Sequence, residues 1–137
     1  MKSWVIIVVF LIPFVILDLA AQGRQAVRND IERGRYLAND VAMCVQCHSP
    51  RDGNGDLIRS QLFSGAAVPV SAPWLSQPWA EFAPRIASLA QYSDEQALVL
   101  LTEGISRTGR PLRAPMPPFR MSPQDARDII SYLRSLE

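Results

Sequence analysis

Two cysteines and the only histidine of the chain fall inside five residues, Cys44-Val45-Gln46-Cys47-His48. That cluster constrains the fold more than any other feature. Three such side chains cannot complete a four-ligand zinc site by themselves. Two thiols at this spacing close only a tiny loop, so a disulfide framework is excluded. The 137 residues suffice for one ordinary domain and are too few for two. With 48% apolar and 20% charged residues, a packed core is possible and bulk disorder is excluded. A formal net charge of +1 leaves no basic field for nucleic acid.

The apolar surplus is concentrated at the start. Trp4 to Leu17 carries no charge, with Met1-Lys2-Ser3 before it and Asp18-Leu19-Ala20-Ala21-Gln22 after it. Lys2 would keep the N-terminus cytoplasmic and send the rest across a membrane. As helix, the run spans roughly 21 Å, and extension to Ala21 gives roughly 27 Å against a hydrocarbon core of roughly 30 Å. Two readings compete for residues 1–21. A signal peptide cleaved after Ala21 fits the charged start and the small residues, although Leu19 is only tolerable at the −3 position. An uncleaved anchor helix fits the strongly apolar run, with Pro13 acceptable inside a membrane. A buried soluble helix lacks start and stop signals. Both favoured readings export the remainder of the chain.

Residues 22–29 read as a polar connector and 30–137 as the domain. A first helix is predicted to begin near Asn29 or Asp30, with Ile31, Gly34, Leu37, Ala38 and Val41 on one face. Ser93-Asp94-Glu95-Gln96 has the form of a capping box, with Gly104 as the stop. Ser122-Pro123-Gln124-Asp125 opens a last helix whose apolar face is Ala126, Ile129, Ile130, Leu133 and Leu136. No segment alternates with period two, so strands are not expected. The Pro-rich stretches Ser49–Tyr92 and Ile105–Met121 are long for so small a domain unless they wrap something that supplies part of the core.

Cys44-x-x-Cys47-His48 is the attachment signature of c-type haem. Two thiols one helical turn apart reach the two vinyl groups of one porphyrin, and the adjacent imidazole lies under the iron. Random placement of two Cys and one His would produce this order roughly once in 10,000 arrangements. A thioredoxin-like thiol pair would need a βαβ context, and a zinc half-site would need a partner chain. With His48 as one axial ligand, the candidates for the other are Met116 and Met121. Met43 is too near the motif to reach the opposite face. Met116 stands among three prolines in Arg113-Ala114-Pro115-Met116-Pro117-Pro118-Phe119, which stiffen its loop. Met121 precedes the helix cap Ser122 and can staple onto Ala126 instead. His/Met ligation favours reduced iron and leaves no open position, so the chemistry would be outer-sphere electron transfer.

From Ile31 to Leu136 these features resemble the monohaem class I c-type cytochromes. The resemblance implies an all-α fold, three to five helices wrapped around one covalent haem, following the N-terminal apolar helix. Helix 1, with Gly34, Tyr36 and Leu37, would cross closely over the segment holding Tyr132 and Leu133. Phe82-Ala83-Pro84-Arg85-Ile86 is similar to the family's proline segment, which implies that the Pro84 carbonyl accepts the Nδ1 proton of His48. An aromatic often meets a haem propionate in this family, a role open to Trp74 or Trp79, for which simple packing is the alternative. The ring of Lys found in mitochondrial-type carriers is missing. Arg107, Arg110, Arg113 and Arg120 surround the Met loop instead, without an acid between Glu103 and Asp125. They would dock an acidic partner or neutralise propionates.

The resemblance implies an electron-transfer protein on the periplasmic side of the cytoplasmic membrane, serving redox partners as a tethered donor or as a subunit of a respiratory or photosynthetic complex. A soluble periplasmic carrier is the alternative. A haem enzyme or sensor with a labile Met ligand, and a thiol redox module with free cysteines, are the readings from other classes.

Overall fold

Helix-forming Ala, Gln and Arg residues dominate the first part of the chain that the computed structural model describes, which runs over residues 21–136. The chain divides into two units, residues 1–30 and 31–137. In the first, residues 21–30 are helical, stitched by Gln25 to Asn29 at 2.9 Å and Arg28 to Gln25 at 2.8 Å. Asn29 and Asp30, expected to cap a helix, therefore lie within helical residues, as does the stretch 22–29 expected as a connector. Side-chain bonds three and four positions apart offset what its polar composition lacks in burial. The apolar run Trp4–Leu17 lies outside the described residues. Among those described, no helix is long and apolar enough to cross a membrane.

In the second unit, α1 covers residues 31–41, α-helical to 36 and π-helical across Leu37–Val41. The wide turn is closed by the Ala42 amide donating to the Leu37 carbonyl at 2.8 Å. It adds a residue to the repeat. Ala38 stays fully buried while Val41, expected on the same face, is turned out and exposed. Helix α2 is the single turn Cys44–His48, α3 is Asp94–Glu103 and α4 is Pro123–Arg134. The two later helices begin as their sequences predict. Ser93 and Gln96 form a reciprocal capping box on α3, and Gly104 ends it in the left-handed conformation. Ser122 accepts from the Asp125 amide, with Pro123 in the first turn of α4.

Helix α4 supplies the core. Ala126, Ile129, Ile130, Tyr132 and Leu133 are buried against Ala38, Ala97 and Leu101. It crosses α1 at Gly34, where a Cβ would stand 1.9 Å from the Asp128 carbonyl oxygen and 2.9 Å from the Tyr132 Cβ. Only glycine permits that approach. Beside the crossing, the Arg33 guanidinium donates to both Asp125 and the buried Asp128, whose other oxygen accepts from Gln124 at 2.8 Å. At the far end, Arg134 donates to Asp94 and to the carbonyls of Ser88, Leu89 and Tyr92, fastening the loop before α3.

The long loop from 49 to 92 is held from inside. Phe63 is fully buried, meets the Tyr132 ring edge-on at 5.9 Å, and sits at φ 59°. That conformation is strained for a bulky residue. Its amide donates to the Ser49 hydroxyl, and its carbonyl accepts from Ile86 and Ala87, which together fix it. Contrary to the expectation of no strands, β1 (Ala66–Ala67) pairs antiparallel with β2 (Phe82–Ala83), Ala66 opposite Ala83. Two residues per strand are too few to print a period-two pattern. Gly65, at φ 90°, makes the pairing possible, since a Cβ there would lie 2.8 Å from the Arg85 amide.

Gly34→Ala should force α1 and α4 apart and lower stability by at least about 2 kcal/mol, a drop of roughly 8 °C or more in Tm. A wild-type melting curve would contradict the crossing. Asp125 is held below the ordinary carboxylate value, first by its hydrogen bond from Arg33 and then by Ser122. Its contribution is thus present above the ordinary carboxylate range and lost as pH falls through the lowered folded value. Arg33→Gln should flatten that acid limb in a stability-versus-pH series. Superimposable acid limbs would show that the pair contributes nothing.

Candidate cofactor site

Met43 turns the chain into α2 through a left-handed conformation at φ 54°, and α2 itself carries Cys44, Cys47 and His48 on its single turn. One helical turn puts the two thiols on one side. Both are free. Burial pushes the Cys44 thiol up to about 11, with a smaller rise from neighbouring Cys47. A thiol that resists ionisation is a poor redox nucleophile, which counts against the thiol-module reading.

His48 is 6% exposed. Its Nδ1 lies 2.7 Å from the Pro84 carbonyl oxygen. A carbonyl only accepts, so Nδ1 carries the proton and Nε2 is left with a free lone pair. Burial also lowers the affinity of the ring for a second proton, and the bond to Pro84 partly offsets this. The neutral imidazole is the form that binds a metal. The partner is placed by the β1–β2 ladder, which ends next to Pro84. The His48 carbonyl in turn accepts from the Gly65 amide at 2.9 Å, so both the backbone and the ring of His48 are tied to the two sides of that ladder.

Cys44, Cys47, His48, Pro84 and Met116 all line one cavity of about 270 Å³, the scale of a single small-molecule site. The remaining wall is almost entirely apolar. Ile129, Ile130 and Leu133 of α4, Ala97, Leu100 and Leu101 of α3, and Leu112 and Phe119 of the Met loop close it. The same side chains that form the protein core thus face a space the chain does not fill.

The Met loop is anchored at both ends. The Ala80 amide donates to the Ala114 carbonyl at 2.7 Å, and the Leu112 amide to Gly104 at 3.1 Å. Beyond Met116, the Met121 amide donates to Leu101, and Arg120 donates to the Glu103 carbonyl at 2.8 Å, covering the end of α3. Met121 packs against the core and is not on the cavity wall. Met43 does line the cavity, on the same stretch as the cysteines.

Neither Trp74 nor Trp79 lines the cavity. Trp74 is 70% exposed. The Trp79 indole N–H donates to the Val70 carbonyl at 3.0 Å, so it stitches the loop. The four arginines also separate. Arg113 lines the cavity, Arg120 is spent on backbone carbonyls, and Arg107 and Arg110 are exposed. Gly65, Ser49 and Phe63, which frame His48, gave no signal in the sequence.

The donor set fits a c-type haem. Two sulfurs one turn apart, a neutral imidazole of fixed tautomer and a thioether share a cavity with apolar walls, which is what a flat porphyrin needs on its edge and two faces. Among the described residues no group of three or more His, Cys, Asp or Glu is placed to hold a metal ion by itself. A comparison with curated proteins returns no match. The family model for cytochrome c matches residues 31–137, the whole of the second unit. Members carry covalent haem c with its iron, and the chain belongs to this family as a monohaem class I c-type cytochrome.

Proposed function

We propose that the domain passes single electrons between redox partners at the outer face of the cytoplasmic membrane, with haem iron ligated by His48 and Met116. The observation that carries the ligation is the pairing of the oriented His48 ring with Met116 on the walls of one cavity. The bound haem supplies a one-electron Fe(III)/Fe(II) couple. The chain's own residues set the terms on which that couple works. Cys44 and Cys47 hold the group permanently, so it is never lost between encounters. Pro84 keeps the His48 proton on Nδ1 and the ring in one orientation, which limits rearrangement when the charge changes. The Met116 thioether is a soft, neutral ligand that favours the reduced state. The apolar wall excludes water and disfavours the extra charge of the oxidised state, acting in the same direction. The exposed Arg107 and Arg110 offer an acidic partner a cationic face next to the Met loop.

For location, the uncharged run Trp4–Leu17 behind Lys2 supports export, and its hydrophobicity favours a retained anchor over a cleaved leader. An anchored domain fits a subunit of, or tethered donor to, a respiratory or photosynthetic complex. Sequencing the N-terminus of the mature protein separates the two fates. A retained first segment establishes the anchor, and a start near Gln22 establishes a cleaved, soluble carrier.

Met116→Ala should leave haem attached while lowering the midpoint potential and abolishing the spectroscopic signature of sulfur ligation. Met121→Ala should change neither. An altered ligation in Met121→Ala with Met116→Ala unaffected would assign the ligand to Met121 instead.

A further inference from the structure

The loop between the two short strands carries a surface that electron transfer does not use. From Ser60 to Ala80 the chain has no charged residue, 21 positions in a row, a longer charge-free stretch than Trp4–Leu17. The loop leaves and returns through a closed neck. The Val68 amide donates to the Glu81 carbonyl at 2.9 Å, and the Trp79 indole donates to Val70. The Ala80 amide ties the neck to the Met loop at Ala114. Beyond the neck the chain turns at Trp74, whose carbonyl accepts from the Gln77 amide at 3.2 Å. At that tip Leu75 is fully exposed and Trp74 largely so, and Val70 is exposed with them. Large apolar side chains held out into water by a fixed neck mark a contact surface. Three of them fall far short of the roughly 800 Å² per partner that a stable protein interface buries. They suit a lipid surface, where a few side chains at headgroup depth are enough and Trp is a favoured residue. The lack of charge removes the cost of carrying an ion towards hydrocarbon. Chain length points to the same occupant. Residues 18–30 separate Leu17 from α1, a reach of about 20 Å as helix and about 45 Å fully extended. A retained anchor over Trp4–Leu17 would keep the second unit within about a domain diameter of the bilayer.

We propose that residues 69–78 dip into the bilayer–water interface, with Trp74 and Leu75 seated among the lipid headgroups, as a second membrane contact beside the N-terminal anchor. The inference rests on that anchor being retained. Its consequence is orientation. Val68 and Ala80 at the neck line the cofactor cavity, so a seated loop holds the cavity at a fixed attitude to the membrane instead of letting it tumble on a tether.

The test reconstitutes the full-length, haem-loaded protein into phosphatidylcholine vesicles that contain a phospholipid with a diazirine near its headgroup. After illumination and digestion with trypsin, lipid adducts are located by mass spectrometry. Cleavage at Arg59 and Arg85 isolates the loop in one peptide, Ser60–Arg85. Adducts are expected at Trp74 and Leu75. Trp74→Ser combined with Leu75→Ser should cut their yield roughly tenfold or more, the factor that burial of one large apolar side chain supplies. Val99→Ser, which removes an exposed apolar residue of α3, should leave the yield unchanged. A loop peptide without adducts, or a yield that the double variant does not lower, would overturn the proposal, and is the outcome expected if a protein partner covers the loop. Should the double variant fail to mature, the wild-type map decides alone, adducts at residues 74 and 75 upholding the contact and their absence refuting it. The intact mass of the same preparation reports the anchor separately. If the chain starts near Gln22 the anchor reading fails, and flotation of the cleaved protein with the same vesicles decides. Flotation that the double variant loses upholds the loop contact, and a wild type that does not float refutes it.

Discussion

A carbonyl oxygen can only accept, so the 2.7 Å between Pro84 and His48 Nδ1 settles where the imidazole proton is and leaves Nε2 with a free lone pair. Much of the second unit is arranged around that bond. The Ser49 hydroxyl holds the Phe63 amide, and the Phe63 carbonyl accepts from Ile86 and Ala87 just beyond the proline. Gly65 reaches back to the His48 carbonyl and opens the short ladder that brings residues 82–84 alongside. Residues 48 and 84 are distant in sequence, yet His48 is tied through its ring to Pro84 and through its carbonyl to Gly65. The strained backbone of Phe63 persists because these contacts over-determine it.

The second constraint is a core that the chain does not complete. Leu101, Ile129, Ile130 and Leu133 are buried and also line the cavity. In most domains of this size such side chains would meet one another at close-packed density. Haem held at this cavity would pack against them, so that holding the cofactor and stabilising the fold would be one process. Anything that binds only the folded state adds to its stability, and a covalent link makes that addition permanent. The long loops then have a physical reason, since their apolar side chains Leu112 and Phe119 line the cavity and would be buried against the haem.

What could be read from the sequence was local. The Cys44–His48 spacing, the capping box at Ser93 and the Ser122–Pro123 start each operate within a single turn and survived into the structure unchanged. Features set by distant partners were not legible. The π-turn that exposes Val41 arises where α1 adapts to its neighbours, and the two-residue ladder is too short for any periodic trace. Trp79 looked like a free donor because nothing in its neighbourhood announces Val70 as its acceptor. The arginines are the sharpest case. Four similar residues within fourteen positions carry the same charge, and only the three-dimensional path of the loop separates a cavity wall from a helix end and from solvent.

The central claim is that Cys44 and Cys47 bind one haem covalently in a cavity built to receive it. An intact-mass spectrum of the mature protein under denaturing conditions tests this most directly, alongside the variant with both cysteines changed to alanine. The expected masses are polypeptide plus one haem for the native protein and polypeptide alone for the variant. A correctly matured native chain that appears without haem, or that releases it on denaturation, would contradict covalent attachment.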